Sequence, residues 1–330
     1  MRMPLVLSGG SIKGAFQAGA IEEVLARGVV PSSIHGISVG SLNGGFLADR
    51  AGKAVLAGQQ PDWPAYGKEL GEFWRSQVTS FDVVATKRNI FSLAWSILRG
   101  RFNGLVNTDR LRRLINEALS EDALAACPIH FTAGAVDIYS GEIVEASAST
   151  HSGRMRDYIM ASTAIPVMMP FRKVDGRIFV DGGLRDVAPT RAAMRTNTPA
   201  ICAIVCQERS LIGCQFAHGN LLKLANRLME IIVNETVNND LDRLRQINII
   251  VGQVGRGTLR SARTGREYRY VLPIVIRPHR ALEIEFEHFR PQDITRIYEL
   301  GKETARKVLE EPGIERYLQE GNGEEKSVLQ

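Results

Sequence analysis

The chain has 330 residues, 44% of them hydrophobic and 23% charged, with a formal net charge of +5. That composition is ordinary for a globular protein and supplies ample apolar side chain for a sizeable core. No stretch approaches the roughly 18 uninterrupted apolar residues of a membrane span, and the N-terminus lacks the apolar run and small-residue cleavage site of a secretory leader, so a cytoplasmic location is expected.

In chain order, residues 3–7 (MPLVL) read as a short buried strand. A glycine-rich turn follows over 8–14, and 15–26 carries helical apolar spacing at Phe16, Ala20, Val24 and Leu25. Residues 34–37 (IHGI) read as a second strand, and 41–48 as the start of another helix. Two successive β-turn-α units predict a parallel sheet covered by helices. Residues 58–105 hold all three tryptophans, Trp63, Trp74 and Trp95, with Tyr66, Phe73, Phe81, Phe91 and Phe102. Two readings stand for this stretch: helical connections packed into the core, or a cap that meets lipid through amphipathic aromatic rings.

Thr108 is placed to cap a helix over DRLRRLINEAL. Residues 129–136 and 142–147 read as paired strands around a Tyr-Ser-Gly turn. RIFVDGG (177–183) reads as a strand ending in a tight turn, with 200–206 and 248–254 (NIIVGQV) as further buried strands. A long amphipathic helix is expected over 221–246 and a terminal helix over about 291–311. No repeat or linker divides the chain. One domain over 4–312 is expected, with 58–105 as an insertion in it and a disordered polar tail over 313–330.

Cys127, Cys202, Cys206 and Cys214 show neither paired metal-ligand spacing nor histidine neighbours, so no metal, disulfide or cofactor is implied. Arginines crowd 256–280 in a pattern not spaced with stacking aromatics. A solvated basic face and attraction to an anionic membrane surface both fit, whereas no nucleic-acid module accompanies the charge.

Three short patterns carry chemistry. The first is Gly36-Ile37-Ser38-Val39-Gly40 at a strand-to-helix junction, where a serine is held strained with its hydroxyl projecting and small neighbours avoid collision. The amide of Val39 and the start of the next helix then face a developing oxyanion. The second is Gly9-Gly10-Ser11-Ile12-Lys13-Gly14. It fails as a dinucleotide fingerprint, because Ser11 stands where glycine is needed, and as a P-loop, because Ala15 and Phe16 follow Gly14. An amide-rich nest for an anion or a tight structural turn remains. The third is Asp181-Gly182-Gly183, a carboxylate at a strand end that is either an Asx turn or a group brought close to another turn.

Together these patterns resemble the patatin-like phospholipase family. The flanking text matches too: LVLSGGSIKGAFQAGAIEEVL, HGISVGSLNGG, ASTAIPVMMPF and FVDGG. The likeness covers roughly residues 4–205, with a looser echo in IRPHRALEIEFEHFRPQDI.

The resemblance implies a three-layer α/β/α sandwich with a mostly parallel central sheet. It implies a lipid acyl hydrolase in which Ser38 attacks an ester carbonyl and Asp181 takes its proton, with no histidine between them. The amides of Gly9, Gly10 and Ser11 would hold the oxyanion, and Lys13 would either hold an anionic substrate or face solvent. Phospholipid or another acyl ester is then the expected substrate, and peripheral contact with an anionic membrane stays open on the basic charge alone. The departure is Ser11, where the family usually has a third glycine; serine fits if its φ is negative and is strained if the loop needs φ above zero. His35 and His151 are the alternatives for a triad, but His35 should point along its strand. A conventional α/β-hydrolase would place its elbow after several strands and its histidine late, and neither His279 nor His288 has matching context. A non-catalytic lipid-binding protein on the same fold is the remaining alternative.

Overall fold

A computed structural model describes residues 1–196, 198–211, 213, 221–254, 258–260, 265 and 267–327. The chain opens with β1 (Arg2–Leu7), α1 (Gly14–Ala26), β2 (Val30–Ile37) and α2 (Val39–Leu56), the two β-turn-α units expected. Helices α3 (Trp63–Gln77) and α4 (Phe81–Val84) follow. A small ribbon of β3 (Thr86–Lys87) and β4 (Val106–Asn107) then encloses α5 (Ile90–Leu98). Next come α6 (Asp109–Ala118), α7 (Glu121–Ala125), β5 (His130–Asp137), β6 (Ile143–Ala146), α8 (Met155–Ser162), β7 (Arg172–Val174) and β8 (Arg177–Asp181). The rest comprises α9 (Thr190–Met194), β9 (Ala200–Ile204), α10 (Leu221–Val254), β10 (Thr258–Arg260), β11 (Glu267–Arg269), β12 (Leu272–Ile276), α11 (Pro291–Leu309) and α12 (Pro312–Ser327).

Among the described residues, eight strands make one sheet in the order β12-β9-β1-β2-β5-β8-β7, with β6 also on β5. The run from β12 to β5 is parallel, and β8, β7 and β6 join antiparallel. Side chains alternate across the sheet, so β1 feeds two cores. Met3, Leu5 and Leu7 pack towards α1, α2, α3 and α11, whereas Val6 joins Ile201, Ala203 and Val205 beneath α9 and α10. The result is helix, sheet, helix, in three layers. On the first face α1 and α11 cross at Gly19 and Gly301, whose hypothetical Cβ atoms would overlap the carbonyls of Tyr298 and Phe16 respectively.

Several expectations need correcting. NIIVGQV is the last two turns of α10 and not a strand. Its buried residues continue a helical stripe through Leu241, Leu244, Asn248 and Val251, while Ile249 and Ile250 are exposed. Buried Asn248 serves as a surrogate strand neighbour, donating to Val271 O at 2.7 Å and accepting from Val271 N at 3.0 Å. The polar tail expected from 313 begins within α12 (Pro312–Ser327), on which Ile314 and Leu318 are buried one helical turn apart. Thr108 stands at the start of α6 but does not cap it. Its hydroxyl accepts from Arg172 Nη2, and Asn107 Oδ1 takes the Asp109 amide instead.

The aromatic stretch 58–105 divides. Trp63, Tyr66, Phe73, Trp74 and Phe81 are core, whereas Phe91 and Trp95 on α5 are exposed. Cys202 and Cys206 are buried free thiols, both pushed up to about 12 by desolvation; Cys214 lies outside the described residues. Of the basic stretch 256–280, residues 256, 257, 261–264 and 266 also lie outside them. Arg277, within it, is structural: it donates to the backbone oxygens of Gln207 and Glu208. No helix among the described residues is long and apolar enough to cross a membrane.

Candidate active site

Ser38 sits between β2 and α2 with φ 53° and ψ −124°, a left-handed conformation that an L-residue adopts only under constraint. The constraint is visible atom by atom. A side chain at Gly36 would overlap Gly40 O, and one at Gly40 would overlap Leu7 O, so the elbow closes only with glycine at both places. The Ser38 amide donates to Ser162 Oγ at 2.8 Å, and that hydroxyl donates on to Gly134 O at 2.5 Å. Ser41 Oγ donates to Ser38 O at 2.6 Å. Ser162, from the ASTAIP block, thus ties the elbow to β5.

Asp181 ends β8 beside this elbow and is fully desolvated. Its Oδ1 accepts from the Gly183 amide at 2.7 Å within the short turn Gly182–Leu184, and its own amide donates to Ala164 O at 2.9 Å. The local geometry is therefore an Asx turn, and the same carboxylate also lies within hydrogen-bonding reach of the Ser38 hydroxyl. Burial pushes the carboxyl up from 3.8 to about 6, opposed by the bonds from Ser38 and Gly183. Such a group is ionised at neutral pH and is a better base than an exposed aspartate.

The glycine-rich loop runs alongside, with a Cβ position at Gly9 only 3.3 Å from Ser38 Cβ. The amide of Gly9 is already committed, donating to Val187 O at 3.1 Å, which removes it from the set expected to face an oxyanion. Among the described residues the amides of Gly10, Ser11 and Val39 have no hydrogen-bond partner, and these residues lie against the cleft at Ser38. Gly10 is extended at φ 164°, and Gly14 opens α1. Ser11 has φ 50°, so the residue that departs from the family pattern occupies the left-handed region favouring glycine.

The loop is held by a buried polar chain that sequence reading missed. Trp74 Nε1 donates to Asn43 Oδ1 at 2.8 Å, Asn43 Nδ2 to Gln17 Oε1 at 3.0 Å, and Gln17 Nε2 to Ser8 O at 3.2 Å. Gln207 Nε2 donates to Gly9 O at 2.8 Å. The available signal was a Gln and an Asn amid small and apolar helical residues, where buried polar groups need partners. Beneath the loop, Asp240 of α10 accepts from the amides of Val187 and Ala188 at 2.9 and 3.1 Å.

Ser38 stands where two clefts meet. One is almost wholly apolar, lined by Val39, Leu42, Trp74, Val78, Leu111 and Met169 among others. The other carries polar groups: Lys13, Gln207, Glu208, Asn226 and Glu230. Lys13 faces this second cleft and pairs with Glu208 at 3.8 Å. No described histidine lines either cleft. His35 bonds Thr132 Oγ1 and Ser33 Oγ through its two ring nitrogens, and burial lowers it to about 3. His151 bonds Thr150 and stacks on Tyr158. Among the described residues no group of three or more His, Cys, Asp or Glu side chains is arranged to hold a metal.

A mostly parallel sheet between helical layers, with a serine on a strained elbow and an aspartate within its reach, defines an α/β/α fold with a serine at a strand-to-helix elbow. The chain belongs to the patatin-like phospholipase family, whose model matches residues 5–194. Relatives described as uncharacterized NTE family proteins occur in Mycobacterium bovis and Mycobacterium tuberculosis. Each is 26% identical over 203 residues, covering 62% of this chain and 48% of the relative. A patatin-like phospholipase domain-containing protein of Caenorhabditis elegans is 25% identical over 209 residues, 63% of this chain and 14% of that one. The match thus spans about half the length of the mycobacterial relatives. A crystal structure of VipD from Legionella pneumophila aligns with 93% of this chain and 66% of that one, at 14% identity and a TM-score of 0.42.

Proposed function

We propose that the protein is a lipid acyl hydrolase working through a Ser38–Asp181 dyad. Family membership supports lipid acyl hydrolysis in general. The observation that carries the finer reading is Asp181: buried, raised to about 6, and within reach of Ser38 in clefts that no described histidine lines. Ser38 Oγ attacks the ester carbonyl while its proton passes to Asp181. The free amides of Gly10, Ser11 and Val39 receive the oxyanion, and Asp181 returns the proton to the departing alcohol. Water, deprotonated by the same carboxylate, then releases the acid and restores Ser38. The apolar cleft suits an acyl chain, and the polar cleft a headgroup or glycerol backbone.

The test is hydrolysis of a panel of phospholipids and neutral glycerides by wild type beside Ser38→Ala. The expected result is release of fatty acid by wild type and a loss of about 10³-fold or more in the variant. Equal turnover by the two would overturn the assignment. The strained φ of Ser11 favours a second reading, a binding protein with an impaired oxyanion loop; wild type that binds these lipids and cleaves none would establish it.

A further inference from the structure

Helix α5 has the sequence IFSLAWSIL, nine residues without a charge. A helix on a globular surface normally buries its apolar stripe and shows water its polar face. This one shows water its large apolar side chains. Phe91 is 81% exposed, Trp95 54%, Ile97 58% and Leu98 78%, and Phe91, Trp95 and Leu98 share one face at i, i+4 and i+7. A contiguous patch of this kind marks a surface that another phase or molecule covers.

The helix is held in place by specific bonds. Asn89 caps it, its Oδ1 accepting from Phe91 N at 2.9 Å. Arg88 Nη1 donates to Gly104 O at 3.0 Å, Leu105 N to Met168 O at 2.9 Å, and Phe171 N to Asn103 Oδ1 at 2.7 Å. The root of this arm is the wall of the apolar cleft. Val84, just before β3, and Met169, beside the residues that hold Leu105, line that cleft with Ser38. Phe81 stacks edge-on against Phe286, which lines both clefts. A second apolar edge lies on α10, where Leu228, Ile231 and Ile232 are exposed and the neighbouring Met229 and Val233 line the polar cleft.

Charge identifies the occupant. Residues 86–107 contain four basic residues and no acidic one; Lys87 is paired with Glu287 at 2.8 Å, which leaves Arg88, Arg99 and Arg101 as the basic rim. Arg99 lies over the Trp95 ring at 4.2 Å, combining the aromatic and cationic groups favoured at a lipid headgroup boundary. Two copies of the chain meeting through α5 would bring like charges together, which disfavours self-association. An anionic bilayer instead accepts the apolar face and attracts the rim.

We propose that α5 is a membrane-docking helix that seats the Ser38 cleft on an anionic lipid surface. Its value to the enzyme rests on the lipid-hydrolase reading above, but docking itself does not require turnover. The test is co-sedimentation of the full chain with vesicles of phosphatidylcholine alone and of phosphatidylcholine mixed with phosphatidylglycerol. Wild type and Ser38→Ala should both sediment with the anionic vesicles, which separates docking from catalysis. The triple variant Phe91→Ser, Trp95→Ser, Leu98→Ser should bind at least ~100-fold more weakly. Replacing Arg99 and Arg101 by Gln should weaken binding by about 5-fold per charge. Both exposed-site variants should keep wild-type turnover of a water-soluble short-chain ester, which shows that they remain folded. Wild type that stays in the supernatant with both vesicle types would overturn the proposal, as would triple-variant binding equal to wild type. So would light scattering that shows a wild-type dimer which the triple variant dissolves.

Discussion

Replacing Asp181 by Asn should stabilise the protein at neutral and alkaline pH while removing its base. The carboxyl is fully buried and stands at about 6, against an ordinary value of 3.8. A raised carboxyl pKa means that the folded state holds the proton more tightly than the unfolded chain. The contribution to stability is therefore fully present below the unfolded value of 3.8 and is lost as pH rises through 6. A shift of about two units at 1.36 kcal/mol per unit leaves wild type roughly 3 kcal/mol less stable at pH 8 than with an uncharged isostere. At pH 4.5 the same linkage leaves about 1 kcal/mol. Asparagine retains an oxygen to accept from the Gly183 amide, so little else in the turn needs to change. Urea denaturation of both proteins, followed by fluorescence of Trp63, Trp74 and Trp95, should show Asp181→Asn gaining about 3 kcal/mol at pH 8 and about 1 kcal/mol at pH 4.5. A variant less stable than wild type at pH 8, or a difference that does not change with pH, would refute the account of this carboxyl.

Other substitutions test the surrounding structure. Ser11→Gly relieves a left-handed serine worth ~1–2 kcal/mol, offset by ~0.5–1 kcal/mol of glycine flexibility. It should gain about 0.5 kcal/mol in the same denaturation experiment with kcat at or above wild type, and a loss of stability would contradict the strained loop. Gly19→Ala drives a Cβ into the Tyr298 carbonyl at the α1–α11 crossing, so a loss of about 3 kcal/mol is expected by thermal or urea melting. Ser162→Ala strips the Ser38 amide of its acceptor; a cost of about 1–3 kcal/mol should appear as a roughly 10- to 100-fold fall in kcat/KM.

Much of this organisation was legible in the letters. Gly36 and Gly40 announced an elbow because only glycine permits such close backbone approach, and the structure puts Ser38 at φ 53° there. Asp181-Gly182-Gly183 was ambiguous, and the structure makes it an Asx turn whose carboxylate also reaches Ser38. What the sequence concealed depends on long-range contacts. Ser162 reaches the elbow from 124 residues away, and Gly9 spends its amide on Val187, a pairing no local pattern reveals. NIIVGQV looks like a strand because its apolar run is short and dense, and only packing against Val271 shows that the helical period rules. The aromatic stretch could not be split into core and surface by composition, since Trp74 and Trp95 differ only in what surrounds them.

The central claim, that Ser38 is a nucleophile activated by Asp181, is tested most directly by a fluorophosphonate probe on the folded protein, with the adduct located by peptide mass analysis. The account predicts a single adduct on Ser38, formed at a rate that rises with pH through about 6, and slowed by about 10²-fold or more in Asp181→Asn. No adduct in folded wild type, an adduct at another serine, or equal labelling of Asp181→Asn would contradict it.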